Sequence, residues 1–134
     1  MARGVPLQDI HPAVEARTND QDLDGVMALY APDAVMVLMD GTTVTGTAAI
    51  REQLAGVLAL QGRMTIRTRY VVEAGDLAVL SNEWTITAGD QTMSAVTAEV
   101  ARRQPEGGWL YVIDHPFASL EPQEEAAPAA AMGG

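Results

Sequence analysis

After Gly62 the hydrophobic period of the chain changes, and this change restricts the possible folds more than any other feature. Met64, Ile66, Thr68, Tyr70 and Val72 alternate with Thr65, Arg67, Arg69 and Val71. That is the period-two pattern of a strand with one buried face. Gly75-Asp76 reads as a turn, Leu77 to Thr87 as a second strand, and Gly89-Asp90 as another turn. Thr92 to Gln104 reads as one long third strand. Pro105-Glu106-Gly107-Gly108 then leads into the last, Trp109 to Phe117. Connections this short cannot cross over a sheet, so the four strands form an antiparallel meander.

Before Gly62 the period is helical. Ile10 to Arg17 reads as a short helix with Pro12 in its first turn. Asp20 or Asp22 can cap a second helix over Gln21 to Tyr30, with Leu23, Val26, Met27 and Tyr30 on one face and Pro32 as its stop. Ala34 to Met39 and Thr42 to Thr45 read as a small hairpin around Asp40-Gly41, with Asp40 a turn residue. Thr47 caps a third helix whose stripe is Ile50, Leu54, Val57 and Leu58. Helices set before an antiparallel sheet define an α+β fold. To bury its apolar face the sheet must curl, as a cone, around the N-terminal helices, which leaves a conical pocket.

Composition removes whole chemistries. The chain has no cysteine and no lysine, its eight basic residues being arginines, and it has only two histidines. Thiolate, iron–sulfur, lysine Schiff-base and three-histidine metal sites are therefore excluded within one chain. A net charge of -10 argues against nucleic acid and anionic membrane as partners. No apolar run has the length of a membrane span or a signal peptide, so the expected location is cytoplasmic. Residues 1–118 are expected to form one domain, and 119–134, rich in Ala, Pro and Glu, a mobile tail. Asp20, Asp22 and Asp24 alternate as in a calcium loop. The glycine falls one position early and the closing glutamate is missing, so an acidic helix start is expected, with no metal and no cofactor.

Three stretches carry a resemblance. Asn19 to Ala34 (NDQDLDGVMALYAPDA), Gly46 to Arg51 (GTAAIR) and Gly108 to Pro116 (GWLYVIDHP) are similar, in order, to motifs of the nuclear transport factor 2-like superfamily, in its SnoaL-like and DUF4440 (ketosteroid-isomerase-like) branches. The resemblance covers roughly residues 8 to 118 and implies a cone-shaped sheet around helices. The superfamily's ketosteroid isomerases use a tyrosine and a protonated aspartate as oxyanion donors and an aspartate as base. By position the resemblance implies Val14 for the tyrosine, Leu38 for the base and, approximately, Glu99 for the protonated aspartate. Valine and leucine move no protons, so ketosteroid isomerase activity itself is not expected.

The remaining candidates come from strand parity. Met93, Ala95, Thr97, Glu99 and Ala101 share a face, and a carboxyl between small apolar neighbours can serve as acid or base. Alternatively, Glu99 pairs with Arg102, Arg67 or Arg69 on an exposed face. Trp109, Tyr111, Ile113 and His115 face one way and Leu110, Val112 and Asp114 the other. His115, at the strand end, is the second catalytic candidate, while His11 reads as a surface residue at a helix start. Tyr70, Trp84, Met36, Leu38, Thr97 and Asp114 are the candidates for lining the pocket.

Three functions stay open. The first is cofactor-free isomerase, cyclase or hydratase chemistry on a small apolar, cyclic molecule through Glu99 or His115. The second is binding of such a molecule without chemistry. The third, compatible with both, is a homodimer through the second sheet face, which Thr92, Ser94, Val96, Ala98 and Val100 make fairly apolar.

Overall fold

The computed structural model describes residues 4–120, so the expected tail, apart from residues 119 and 120, lies outside the described residues. A single 3-10 turn, Leu7–Asp9, leads into α1 (Ile10–Asn19). α2 (Leu23–Met27) starts at Asp22, whose carboxylate accepts the Gly25 N–H at 2.9 Å and so satisfies one of the free donors of the first turn. The expected second helix stops three residues early. Tyr30 instead opens β1 (Tyr30–Val37), because it pairs with the last strand opposite Tyr111. Pro32, which cannot donate to a ladder, falls in the stretch between Tyr30 and Val35 where the register shifts. β2 (Thr43–Thr45) pairs back on β1, and Asp40 closes the hairpin by accepting the Thr42 N–H and hydroxyl. Those two donors lower the Asp40 pKa. α3 (Thr47–Ala59) follows.

The meander is β3 (Arg63–Ala74), β4 (Leu77–Ala88), then β5 (Gln91–Val96) with β6 (Ala98–Arg103), and β7 (Trp109–His115). All its pairings are antiparallel. The expected third strand is broken only at Thr97. Glu83 lies opposite Val96, and Leu80 opposite Glu99, so the register on β4 is unchanged across the break. At the break, the Thr97 hydroxyl accepts the Asn82 N–H at 2.9 Å, and the Thr97 carbonyl accepts the Ser81 hydroxyl at 2.6 Å. β1 adds to β7 in parallel, so the seven-stranded sheet runs β2-β1-β7-β6-β4-β3, with β5 also on β4, and is mixed.

Two bulges redirect side chains. On β3, Thr68 pairs with Asn82 but Tyr70 pairs with Ser81, so Arg69 is the extra residue. On β7, Ile113 pairs with Val100 but Tyr111 with Ala101, so Val112 is extra. Beyond each bulge the strand's two faces exchange.

The helices fill the concave side. One core cluster includes Ile10, Val26, Leu29, Ile50, Leu80, Leu110 and Tyr111, all 2% exposed or less. A second joins Met64, Trp84, Ile86 and Ala95, with Val14, Val57 and Phe117 packed on it. The backbone at Gly62 passes close to β4: a Cβ there would lie 2.7 Å from the Thr87 carbonyl oxygen. No helix among the described residues is long and apolar enough to cross a membrane.

Candidate acid–base site

A cavity of about 380 Å³ is lined from both core clusters, among others by Val26, Met36 and Tyr111 on one side and Met64, Trp84 and Ile86 on the other. That volume is in the range of small-molecule sites, roughly 300–1,000 Å³. Its wall is mostly apolar; apart from Thr18 and Gln53 its polar lining is gathered at one end, where Asn82, Thr97, Glu99, Asp114, Tyr30 and Tyr111 meet.

Glu99 is 4% exposed and faces the cavity side of the sheet. None of the arginines considered for it is its partner. Arg67 pairs with Glu83 at 2.7 Å, and Arg69 donates to the Ser81 hydroxyl. The partner is His11, which is 3% exposed, with Nε2 2.7 Å from Glu99 Oε1. His11 Nδ1 lies 2.7 Å from the Thr68 hydroxyl. A carboxylate only accepts, so Nε2 carries the proton and donates it to Glu99. Asn82 Nδ2 donates to the other oxygen, Oε2, at 3.0 Å, and the Tyr111 hydroxyl also hydrogen-bonds Glu99.

Asp114 lies across the ladder from Glu99, and Met36 lies across from Asp114 on β1. It is 6% exposed. Tyr30 donates its hydroxyl to Asp114 Oδ2 at 2.5 Å, while Asp114 Oδ1 has no hydrogen-bond partner. Burial raises the Asp114 pKa to about 7. The Glu99 charge pushes in the same direction, and the Tyr30 hydrogen bond pulls the other way. Burial and the two nearby carboxylates also push the Tyr30 and Tyr111 phenols well above their usual value, so both remain hydrogen-bond donors. The tyrosine rings support each other at 5.3 Å between centroids.

Several expected positions need correction. Strand parity sets Asp114 opposite to Tyr111, but the Val112 bulge puts both on the cavity side. The same shift leaves His115 half-buried at the end of β7, away from the cavity lining. Tyr70 is also not part of the lining. The Arg69 bulge turns it outward, where it is 44% exposed with the Arg69 guanidinium 5.7 Å above its ring. His11, expected at the surface, is buried against β3. Trp84, Met36, Leu38, Thr97, Glu99 and Asp114 all line the cavity, as does Val14. Trp84 is fixed by donating Nε1–H to the Pro116 carbonyl at 2.7 Å and by an edge contact with Phe117.

His11, Tyr30, Asn82 and Tyr111 were not among the candidates. His11 had a readable signal: with Val14 and Thr18 it forms an i, i+3, i+7 stripe on α1. Tyr30 had none, because its role depends on leaving the helical pattern to enter β1. Among the described residues no three carboxylates or histidines gather as a metal site.

The chain belongs to the SnoaL-like domain family, whose profile matches residues 13–112. No curated protein matches it. Solved structures similar in fold include a nuclear transport factor 2-like protein of unknown function from Shewanella oneidensis MR-1, at TM-score 0.73 and 15% identity, covering 81% of this chain and 93% of that one. Another, of the same description, comes from Pseudomonas putida KT2440, at TM-score 0.70 and 22% identity, covering 87% of each chain. A third is a ketosteroid isomerase-like protein from Erwinia carotovora atroseptica SCRI1043, at TM-score 0.65 and 20% identity, covering 81% of this chain and 90% of that one. At these identities the likeness is one of fold, with helices in the concavity of a curved, open sheet.

Proposed function

We propose that the cavity binds a compact apolar molecule and that Asp114 moves a proton to and from one of its carbons, the first step of cofactor-free isomerase, cyclase or hydratase chemistry. The observation that carries this reading is the buried carboxyl of Asp114, a cavity-lining residue, with Oδ2 held by Tyr30 and Oδ1 unpartnered. A base works best when its pKa lies near the working pH, and burial beside Glu99 brings Asp114 there. In its ionised form Oδ1 takes the proton; as the acid it returns it, to the same carbon or another. Tyr30 keeps the carboxyl in one orientation during both steps. Glu99, anchored by His11 and Asn82, keeps a second carboxyl beside Asp114.

Deuteration of 2-decalone α-carbons in D2O, followed by proton NMR, reads this transfer directly. The wild-type protein is expected to exchange them at least about 100-fold faster than Asp114→Asn, the lower end of what a positioned base supplies. No acceleration over buffer would leave binding without chemistry. That second reading has its own support, since Leu38 and Val14, at the positions the resemblance assigns to the base and tyrosine, are both apolar and both line the cavity.

We also propose that two copies pair through the convex face. Val72, Val79, Val100 and Ile113 lie directly across from one another on successive strands, and Val35 continues the row on β1. Val72, Val79 and Ile113 are 42–59% exposed. A continuous apolar row of this kind favours cover. Light scattering at micromolar concentration is expected to give twice the chain mass, and Val79→Glu with Ile113→Glu to give the single mass. A wild-type monomer contradicts the pairing.

A further inference from the structure

Two buried oxygen atoms without partners, Asn82 Oδ1 and Asp114 Oδ1, belong to residues that line the polar end of the cavity. The Asn82 amide has one allowed orientation. Glu99 Oε2 accepts only, so the NH2 must face it, and the carbonyl oxygen is left over. Asn82 is 3% exposed, so bulk water does not supply the missing donor freely. Both unpartnered atoms belong to residues flanking Glu99, one bonded to its carboxylate and the other across the ladder.

We infer that the ligand of this cavity carries a neutral hydroxyl group seated against Asn82 Oδ1 and Asp114 Oδ1. The inference rests on the cavity being a small-molecule site but not on proton transfer occurring there. Asn82 Oδ1 can only accept. Asp114 Oδ1 accepts when ionised and donates when protonated, because Oδ2 is already taken by the Tyr30 hydroxyl. A hydroxyl has one donor and free lone pairs, so it meets both atoms when Asp114 is protonated, donating to Asn82 Oδ1 and accepting from Asp114 Oδ1; when Asp114 is ionised its single proton serves only one of them. An ether or ketone oxygen accepts only and leaves Asn82 Oδ1 unpaired. An ammonium donates only and cannot accept from the protonated acid. The rest of the ligand is apolar, as set by Met36, Met64, Trp84 and Ile86.

Three cage compounds separate these cases by isothermal titration calorimetry on the full chain at pH about 5.5, where Asp114 holds its proton: 1-adamantanol, 1-methoxyadamantane and 1-adamantylammonium. The alcohol is expected to bind at least about tenfold tighter than the ether, the factor expected for satisfying a buried orphan group, and tighter than the ammonium. Asn82→Ala is expected to bring alcohol and ether within about threefold of each other. Asp114→Asn, whose amide N–H replaces the acid O–H towards the ligand, is expected to keep the alcohol preference while losing decalone exchange. Equal or tighter binding of the ether, tighter binding of the ammonium, or binding of none of the three overturns the inference. Alcohol preference without decalone exchange removes the catalytic reading and leaves this one standing; exchange without the preference does the reverse.

Discussion

Asp114→Asn is expected to be more stable than the wild-type protein at pH about 8 to 9, and to lose most of the pH dependence that the wild type shows below that. The sign follows from the two pKa values. Unfolded, the Asp114 carboxyl titrates near the ordinary 3.8; folded, it titrates at about 7. Below pH about 4 both states hold the proton and the difference vanishes. Between about 4 and 7 the folded state keeps a proton that the unfolded state has released, so wild-type stability falls as pH rises, and it levels off above 7. The difference is roughly three pH units at about 1.4 kcal/mol each, so the penalty at alkaline pH is a few kcal/mol at most. Asparagine keeps an acceptor for the Tyr30 hydroxyl and has no charge to desolvate. Urea midpoints of both proteins from pH 5 to 9 measure the effect. Parallel curves, or a variant weaker than wild type at pH 9, would contradict it. Such a gain on removing a side chain marks it as one held for chemistry at some cost to the fold.

The second large effect concerns the His11–Glu99 pair. His11→Leu leaves Glu99 Oε1 without its partner in a site where the carboxylate is 4% exposed. Leaving a buried carboxylate oxygen without its donor costs about 3 kcal/mol. For a domain of this size that lowers Tm by roughly 10 °C. Removing both partners together is much less harmful, because no charge is stranded. Thermal unfolding of His11→Leu, Glu99→Leu and the double variant decides between this account and simple loss of packing. The double variant is expected to unfold above the His11→Leu single. If the two losses simply add, the pair is not coupled.

These residues also show what a sequence can reveal and where it falls silent. The meander was legible because alternation and Gly-Asp turns are local properties; the same alternation put Glu99 on one face with Thr97 and Ala95 but left open whether that face turns inward. The third strand's break at Thr97 costs nothing in that reading, because a side-chain hydroxyl stands in for the ladder and the register is kept. Local rules fail at Arg69 and Val112. Each bulge adds one residue to one strand, and nothing in the flanking residues announces it, since the choice is made by what the neighbouring strands and β1 need to pair with. One bulge removes Tyr70 from the cavity, and the other brings Asp114 in while leaving His115 out. The run Trp109-Leu110-Tyr111-Val112-Ile113, apolar without alternation, was the only hint. Tyr30 was hidden for a different reason: its helical spacing with Val26 and Met27 is real, but pairing with Tyr111 overrides it.

One buried carboxyl, exchanging its proton near neutral pH beside a mostly apolar cavity, underlies both the proposed proton transfer and the hydroxyl seat. Carbon-13 NMR titration of the Asp114 side-chain carboxyl, assigned by comparison with Asp114→Asn, measures this without any ligand. A midpoint near 7, far above that of exposed aspartates such as Asp40, is the result expected. A midpoint near 4 would mean that Asp114 is already ionised and well solvated, and neither the base nor the hydroxyl seat could then be assigned to it.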